Sequence, residues 1–451
     1  MNFALLVVVL VLVRIAVFIY FVVIEGQYMT FDSPPYLNLA DNLIENQVFS
    51  LDMQQPFSAH VWRTPGYPVL LALIKLLGMH SLYWVTFWQE LIYGGFAIIF
   101  YRYGKPLFGH KITKLGLVFL LIEPGGLAFP KLIMTEILFM PFLLGGLLAI
   151  GHYLRNQHWR LLFIAGFLMG IGALVRPAIL YLPIVAAGVL LAFDFLNRRR
   201  WLHIGLFFCA FILALSPWLI RNYSHYQTIY MSGQSGYGLA YFHVPMVFEE
   251  EKNLPFDQGW QYVADRIREK SEQQVLSSGK PITPLQIHEI EKQVAIEELA
   301  KYPQSYAKRW LIGMLKCMSS PLIIELYEAY KIPHDQRLHL LEEINKADSL
   351  LSGIGNYLLH QDKLYLLDVV FSLLLAAFAL LGAVNITFRK DCFLWLMMLS
   401  TFYFISIPGP FGHGRFRVPV EIFWFIQACI GFFWCSEWFA KWRHRSNRIE
   451  S

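Results

Sequence analysis

Charged side chains are scarce in this chain. Asp, Glu, Lys and Arg together make up 15% of its 451 residues, against 56% hydrophobic and 16% aromatic. That shortage excludes a soluble multi-domain protein of ordinary composition. Cysteine is scarce as well, and Cys209, Cys317, Cys392, Cys429 and Cys435 have no paired ligand spacing. A zinc module is thereby excluded, and the thiols read as packing residues. No internal repeat relates the two halves, which argues against a transporter built from inverted repeats. The basic excess is small, 37 Lys and Arg against 32 Asp and Glu for a formal net charge of +5. These cations lie beside apolar segments instead of forming one face, so no nucleic-acid partner is expected. What remains in abundance is apolar sequence, with a mean hydropathy of +0.46. The expected fold class is an all-α polytopic membrane protein.

The first span is 3–24, too long and too uniformly apolar for an ordinary signal peptide, with Arg14 in its middle. An arginine there faces the bundle interior, snorkels, or pairs, with Glu25 or a lipid phosphate as candidate partners. Further spans are read at 82–100, 115–129, 131–150, 161–175, 178–195, 202–220, 364–386, 393–407 and 418–438. Cations at 102–114, 155–160, 198–200, 389–390 and 441–445 mark the cytoplasmic side. The result is about ten transmembrane helices with both termini inside. Three regions follow: a catalytic transmembrane module at 1–220 with outer juxtamembrane helices within 33–78, an outer loop region with interfacial helices at 221–362, and C-terminal spans with a basic tail at 363–451.

The polar, proline-rich stretch 27–68 cannot lie deep in lipid, because its charges and irregular backbone would go unsatisfied there. Asp32 precedes a Ser-Pro-Pro step that opens a helix, where Asp or Ser can cap. Tyr36, Leu39, Ala40, Leu43 and Ile44 then share one side, and Asn38, Asp41, Asn42 and Glu45 the other, the pattern of a helix on a membrane surface. A second short helix follows Arg63-Thr64-Pro65-Gly66-Tyr67-Pro68 and runs to Leu77. Further on, 232–241 reads SGQSGYGLAY, whose glycines permit tight turns or close approach to a ligand. Asp32, Arg63, Glu136, Arg176, Arg221, His413, Arg415 and Arg417 all fall at outer ends of spans or in outer loops. Cations are normally depleted there, so an anionic ligand at the outer leaflet is the functional explanation for the set. For any one arginine, headgroup contact or a helix end is the alternative.

These residues carry a resemblance. Asp32-x-x-x-Tyr36-x-x-x-Ala40, Arg63-Thr-Pro-Gly-Tyr67-Pro, Thr135-Glu136 before an apolar helix, Arg176-Pro177 closing a span, and Gly414-Arg415-Phe-Arg417-Val-Pro419 occur in this order on one side of the membrane. The chain resembles integral membrane glycosyltransferases of the C-type fold, the superfamily of protein O-mannosyltransferases and the lipid A aminoarabinose transferase. The resemblance implies a bacterial inner-membrane enzyme whose site faces the periplasm. It implies an inverting transfer of sugar from a polyprenyl-phosphate donor to a hydroxyl of a glycolipid, polysaccharide or protein. Asp32 and Glu136 would be the catalytic carboxylates, and Arg63, Arg176, Arg415 and Arg417 would hold the donor phosphate. Tyr36, Tyr67, Arg221 and His413 are candidate substrate contacts. No cofactor is required, though Mg2+ or Mn2+ at Asp32 and Glu136 is compatible with the residues. An O-antigen-ligase-like enzyme working through His413 and the arginines is the alternative, and a lipid or solute transporter the next.

Overall fold

The structure is a computed structural model that describes residues 2–24, 26, 29–323 and 363–449. The part of the outer region at 324–362, including the end of an amphipathic segment read at 306–330, lies outside the described residues. Among the described residues every regular element is helical.

Each of the ten expected spans falls on a helix. Helix α1 (Phe3–Phe18) continues as a π-helical turn to Ile24, and α4 (Leu82–Phe108) is followed by α5 (His110–Ile122) and the short α6 (Pro124–Ala128). Then come α7 (Glu136–Asn156), α8 (Trp159–Val175), α9 (Leu182–Phe193) and α10 (Arg198–Tyr226), and near the C-terminus α16 (Lys363–Thr387), α17 (Cys392–Ser406) and α18 (Glu421–Ile449). Among the described residues, five helical segments are long and apolar enough to cross a bilayer, and a sixth arises if α5 and the segment Pro124–Lys131, bent by 50° at Glu123, form one broken span. Several of the others, such as α8 and α17, are apolar but short.

Two juxtamembrane helices appear where expected, α2 (Ser33–Glu45) and α3 (Gly66–Leu76). On α2, Leu39 and Ala40 are completely buried and Tyr36 nearly so. Asn42 departs from the surface-helix pattern: it is buried and donates to the carbonyls of Ser50 (2.7 Å) and Asp52 (2.9 Å), tying the following loop to the helix. Burying an amide is tolerable when its donors are both used.

Packing in the bundle depends on small residues. Gly166 and Gly170 form a Gly-x-x-x-Gly face on α8 where a Cβ would meet the Phe207 carbonyl and the Ala214 methyl of α10. Gly382 and Gly431 do the same between α16 and α18. The main core runs through α4, α5, α7, α8, α9 and α18.

Arg14 finds its partners inside this core. It donates to Glu90 Oε2 (2.8 Å) and the Gly126 carbonyl (2.8 Å) and lies over the Tyr93 ring at 4.4 Å. Lys131, completely buried, donates to Glu90 Oε1 (2.6 Å) and the Leu127 carbonyl. This group of charges holds the broken backbone after α5, so Arg14 and Lys131 both act in packing.

The stretch between α10 and residue 323 folds into α11 (Gln234–Gly238), α12 (Val244–Glu251), α13 (Phe256–Ser278), α14 (Pro284–Leu299) and α15 (Pro303–Ser319). It has its own apolar core, including Val247, Phe248, Val263, Val294 and Leu299. A Thr283/Gln286 capping box starts α14.

Candidate active site

Helix ends bring the charged residues together. Asp32 is the N-cap of α2, Glu136 is the first residue of α7, and Arg176 is the C-cap of α8. Carboxylates at helix N-termini and a cation at a C-terminus match the helix dipoles. Arg63 sits in the loop before α3, and Arg415 in a 3-10 turn (Gly414–Phe416) ahead of α18. Glu136 was expected one turn inside a helix spanning 131–150; instead residues 129–135 turn irregularly after Pro130, and the glutamate stands at the helix mouth.

The five side chains form one continuous row. Arg63 Nη2 donates to Asp32 Oδ1 (3.0 Å), and Arg415 Nη1 donates to Asp32 Oδ2 (2.9 Å). Arg415 Nε reaches Glu136 Oε1 at 2.5 Å, and Arg176 Nη1 lies 2.6 Å from the same oxygen. Arg415 therefore bridges the two carboxylates, and three guanidiniums against two carboxylates leave one positive charge in excess.

Exposure separates their roles. The Glu136 side chain is 0% exposed, whereas Asp32 and Arg415 are 30% and 23% exposed. Of the five, Asp32 and Arg415 are the most open, Arg176 is 13% exposed, and Arg63 and Glu136 are buried. The Asp32 side chain makes no capping bond to α2. Ser33 ties the start of α2 to its surroundings, its Oγ accepting from Thr30 N (2.8 Å) and donating to the Ile133 carbonyl (2.9 Å). Burial pushes the Asp32 carboxyl up, but the Arg415 and Arg63 guanidiniums outweigh it and hold the group below the usual carboxylate range.

Around the row, Arg63 lies over the Tyr36 ring at 4.1 Å, and Tyr36 meets Tyr67 edge to face at 5.1 Å. Tyr67 is buried and donates to Gln89 Oε1 (2.7 Å), so it supports the floor from behind. His413 Nδ1 accepts from Arg415 N (3.3 Å), and its ring stacks on Phe411, which fixes the turn carrying Arg415.

Two arginines do not join the row. Arg417 is 1% exposed, pairs with Glu421 at 2.6 Å and donates to the carbonyls of Cys317 (3.0 Å) and Met318. Its guanidinium is used up in fastening α15 to α18. Arg221 donates to the carbonyls of His60 (2.8 Å) and Phe49 (3.2 Å) and packs on Trp218, pinning the 46–65 loop to α10 beside a separate cavity of about 590 Å³.

Gln89, Trp62 and His60 were not anticipated. His60 Nε2 accepts from Arg63 N (3.0 Å). Burial first, and then Arg63, His288 and Arg221, lower the His60 pKa to about 3, so the ring stays neutral and able to accept. The only local signal is its position three residues before Arg63. Among the described residues no three His, Cys, Asp or Glu side chains converge as metal ligands. The space between Asp32 and Glu136 is held by the Arg415 guanidinium, an arrangement that does not fit a metal bridging both.

Residues 62–220 match the family described as dolichyl-phosphate-mannose-protein mannosyltransferase. Arg63, Glu136 and Arg176 fall inside this match, and Asp32 and Arg415 outside it. Among solved structures, the apo oligosaccharyltransferase of Archaeoglobus fulgidus aligns with 99% of this chain at 15% identity and a TM-score of 0.51. The chain has the C-type glycosyltransferase fold. The same archaeal protein in complex with zinc and sulfate matches with a TM-score of 0.50, 15% identity and 98% of this chain. ArnT from Cupriavidus metallidurans, bound to undecaprenyl phosphate, is more distant, with a TM-score of 0.43, 11% identity, and coverage of 94% of this chain and 77% of its own. No curated protein sequence matches. This C-type chain spans about half the length of the archaeal structures, 52% of the apo form and 50% of the zinc complex.

Proposed function

We propose that the protein is an inverting glycosyltransferase that moves a sugar from a polyprenyl-phosphate donor to an acceptor hydroxyl at the outer face of a bacterial inner membrane. The observation that carries this reading is the Arg415 bridge between Asp32 and Glu136, with Asp32 and Arg415 facing outward and one positive charge in excess. Such a site takes an anion beside a carboxylate. The family matched at 62–220 is named for a polyprenyl-phosphate sugar, dolichyl-phosphate-mannose, which supports the donor class.

The chemistry follows from the geometry. An acceptor hydroxyl approaches Asp32 and gives its proton to the carboxylate as its oxygen bonds to the anomeric carbon. The bond from that carbon to the phosphate oxygen breaks with its electron pair on the phosphate, and attack opposite the leaving group inverts the centre. Arg415, whose Nη1 and Nε already face acids, stabilises the charge growing on the departing phosphate, with Arg63 and Arg176 behind it. Phosphate is a stable anion, so no acid is needed to protonate it. Glu136, enclosed between Arg176 and Arg415, is a positioning residue that aims Arg415. The reacting groups come from the first and third of the regions proposed from the sequence.

The outer placement is supported by helix direction. α8 and α10 begin at cations 155–160 and 198–200 and run to Arg176 and Tyr226, and α7 begins at Glu136 and ends at Asn156, with Arg155 in its last turn. The acidic and arginine row therefore lies at the ends remote from the basic clusters.

The deciding experiment is sugar transfer by detergent-purified protein from a panel of lipid-linked donors to membrane-extract acceptors, with Asp32→Asn in parallel. Loss of about 10²- to 10⁴-fold is expected for removing a positioned base. Full activity in Asp32→Asn would take Asp32 out of the mechanism. Absence of transfer by the unmodified protein with every donor would return the transporter reading.

A further inference from the structure

A row of aromatic rings leads away from the acid and arginine group. Trp62 precedes Arg63, whose guanidinium carbon lies 4.8 Å from the Trp62 ring centroid. Tyr237 follows at 5.0 Å, Tyr241 lies 4.7 Å from Tyr237, and Trp260 lies 5.0 Å from Tyr241. Successive rings are tilted by 52°, 42° and 38°, so no ring is stacked flat under its neighbour. Trp62, Tyr237 and Tyr241 are partly exposed and Trp260 is 37% exposed.

The glycine-rich segment 232–241 builds this row. Ser232 Oγ donates to the Trp62 carbonyl (2.6 Å) and Gly233 N to the Val61 carbonyl (3.1 Å), which docks the segment on the Arg63 loop. A Cβ at Gly233 would strike the His288 ring, and one at Gly236 the His288 carbonyl, so this side of α11 lies directly on α14. Ala240, on the same side, is completely buried. Tyr237 and Tyr241, four residues apart, then project together toward Trp62 and Trp260. The close approach that the glycines permit is thus to α14, and its product is the tyrosine pair.

The chemistry of the row selects its ligand. Each member is Trp or Tyr, an apolar face with a polar tip. A pyranose ring has the complementary form: C–H bonds on its faces and hydroxyls around its rim. Tyr237 also meets Phe242 edge to face at 6.1 Å, and Tyr241 packs on the apolar core of this region, which anchors the row. Burial, with Glu291 nearby, holds the Tyr241 phenol up at about 12, so it stays neutral.

We propose that Trp62, Tyr237, Tyr241 and Trp260 form an acceptor track for a neutral oligosaccharide, which presents its terminal hydroxyl to Asp32. The acceptor is accordingly a glycan chain, an assignment that rests on the glycosyltransferase reading above.

The test is calorimetric titration of protein in lipid nanodiscs, since maltoside detergents carry sugar headgroups that would compete. The probes are cellohexaose, mannohexaose, galactohexaose and chitohexaose. At least one should bind, and Trp260→Ala and Tyr241→Ala should each weaken it about tenfold or more, with Trp260→Phe retaining most of the affinity. Binding of undecaprenyl phosphate should be unchanged in these variants, which shows that they fold. Undiminished oligosaccharide binding in both alanine variants, failure of every probe to bind, or loss of binding to an acceptor peptide in their place would overturn the track. Asp32→Asn should bind the oligosaccharide as the unmodified protein does. If that variant also transferred sugar at the full rate, the catalytic reading would fail while the track stood.

Discussion

Residues that look alike in the sequence divide by burial into those left open to a ligand and those enclosed in the fold. Asp32 and Glu136 share Arg415, yet Asp32 is 30% exposed and Glu136 is 0% exposed. Glu136→Gln leaves two guanidiniums converging on a neutral amide in an enclosed site, and breaking a buried pair costs about 3 to 5 kcal/mol. Thermal unfolding of Glu136→Gln should fall clearly below that of the unmodified protein, and further than that of Asp32→Asn, whose more exposed ion pairs contribute less and whose main loss is turnover. Equal melting of the two variants would contradict this division. Arg417→Gln belongs with Glu136: its pair with Glu421 is buried, so the expected result is reduced stability with donor binding intact in the folded fraction. The pH dependence of Asp32 also has a definite sign. Its folded pKa lies below the ordinary value of 3.8, so its ion pairs contribute stability fully above that value and lose it as pH falls through the lowered folded value. The rate profile should accordingly show no acid limb from Asp32 between about pH 5 and 8.

Elements place the row through their ends. α8 carries Arg176 at its C-cap, and its position against α10 is set by Gly166 and Gly170. A larger side chain at Gly166 must push the two helices apart, because the obstacle is backbone, and overpacking of this kind costs about 1 to 3 kcal/mol. Gly166→Val should therefore lower both the melting temperature and the transfer rate, the latter because Arg176 moves away from Glu136. Gly205→Ala, where a Cβ meets nothing within 4 Å, is the control and should leave both unchanged. The break after α5 has a related role. Residues 129–135 leave the helix so that α7 begins at Glu136, and Arg14, Glu90 and Lys131 hold that irregular backbone from within.

At the scale of the whole molecule, the proposed topology puts the row and α11 to α15 on one face and the basic clusters on the other. Single cysteines at Arg199 and Gly279 in a cysteine-free background should label from opposite faces, with Gly279 outside. Labelling of both from one face would exclude the outer placement. Metal removal tests the same site globally. Because Arg415 occupies the position between the carboxylates, dialysis against EDTA should leave transfer unchanged. Loss of activity restored by Mn2+ would show that the guanidinium gives way to a cation.

The sequence by itself determined the helices, the juxtamembrane pair and the collection of polar residues at one set of helix ends. Apolar length and basic flanks report directly on how each segment meets a bilayer, and those signals are local. It also marked Asp32, Arg63, Glu136, Arg176 and Arg415 within recognisable motifs. What it could not separate was Arg415 from Arg417, two residues apart in one turn, or Arg221 from the rest. Only tertiary packing decided those, since a guanidinium is taken out of reach by carbonyls and carboxylates that distant segments supply: Glu421 with Cys317 and Met318 for Arg417, and His60 and Phe49 for Arg221. The same holds for Trp62, Tyr237, Tyr241 and Trp260, which three separate stretches bring edge to edge. Side-chain contacts between such stretches depend on the fold as a whole, and no local pattern encodes them.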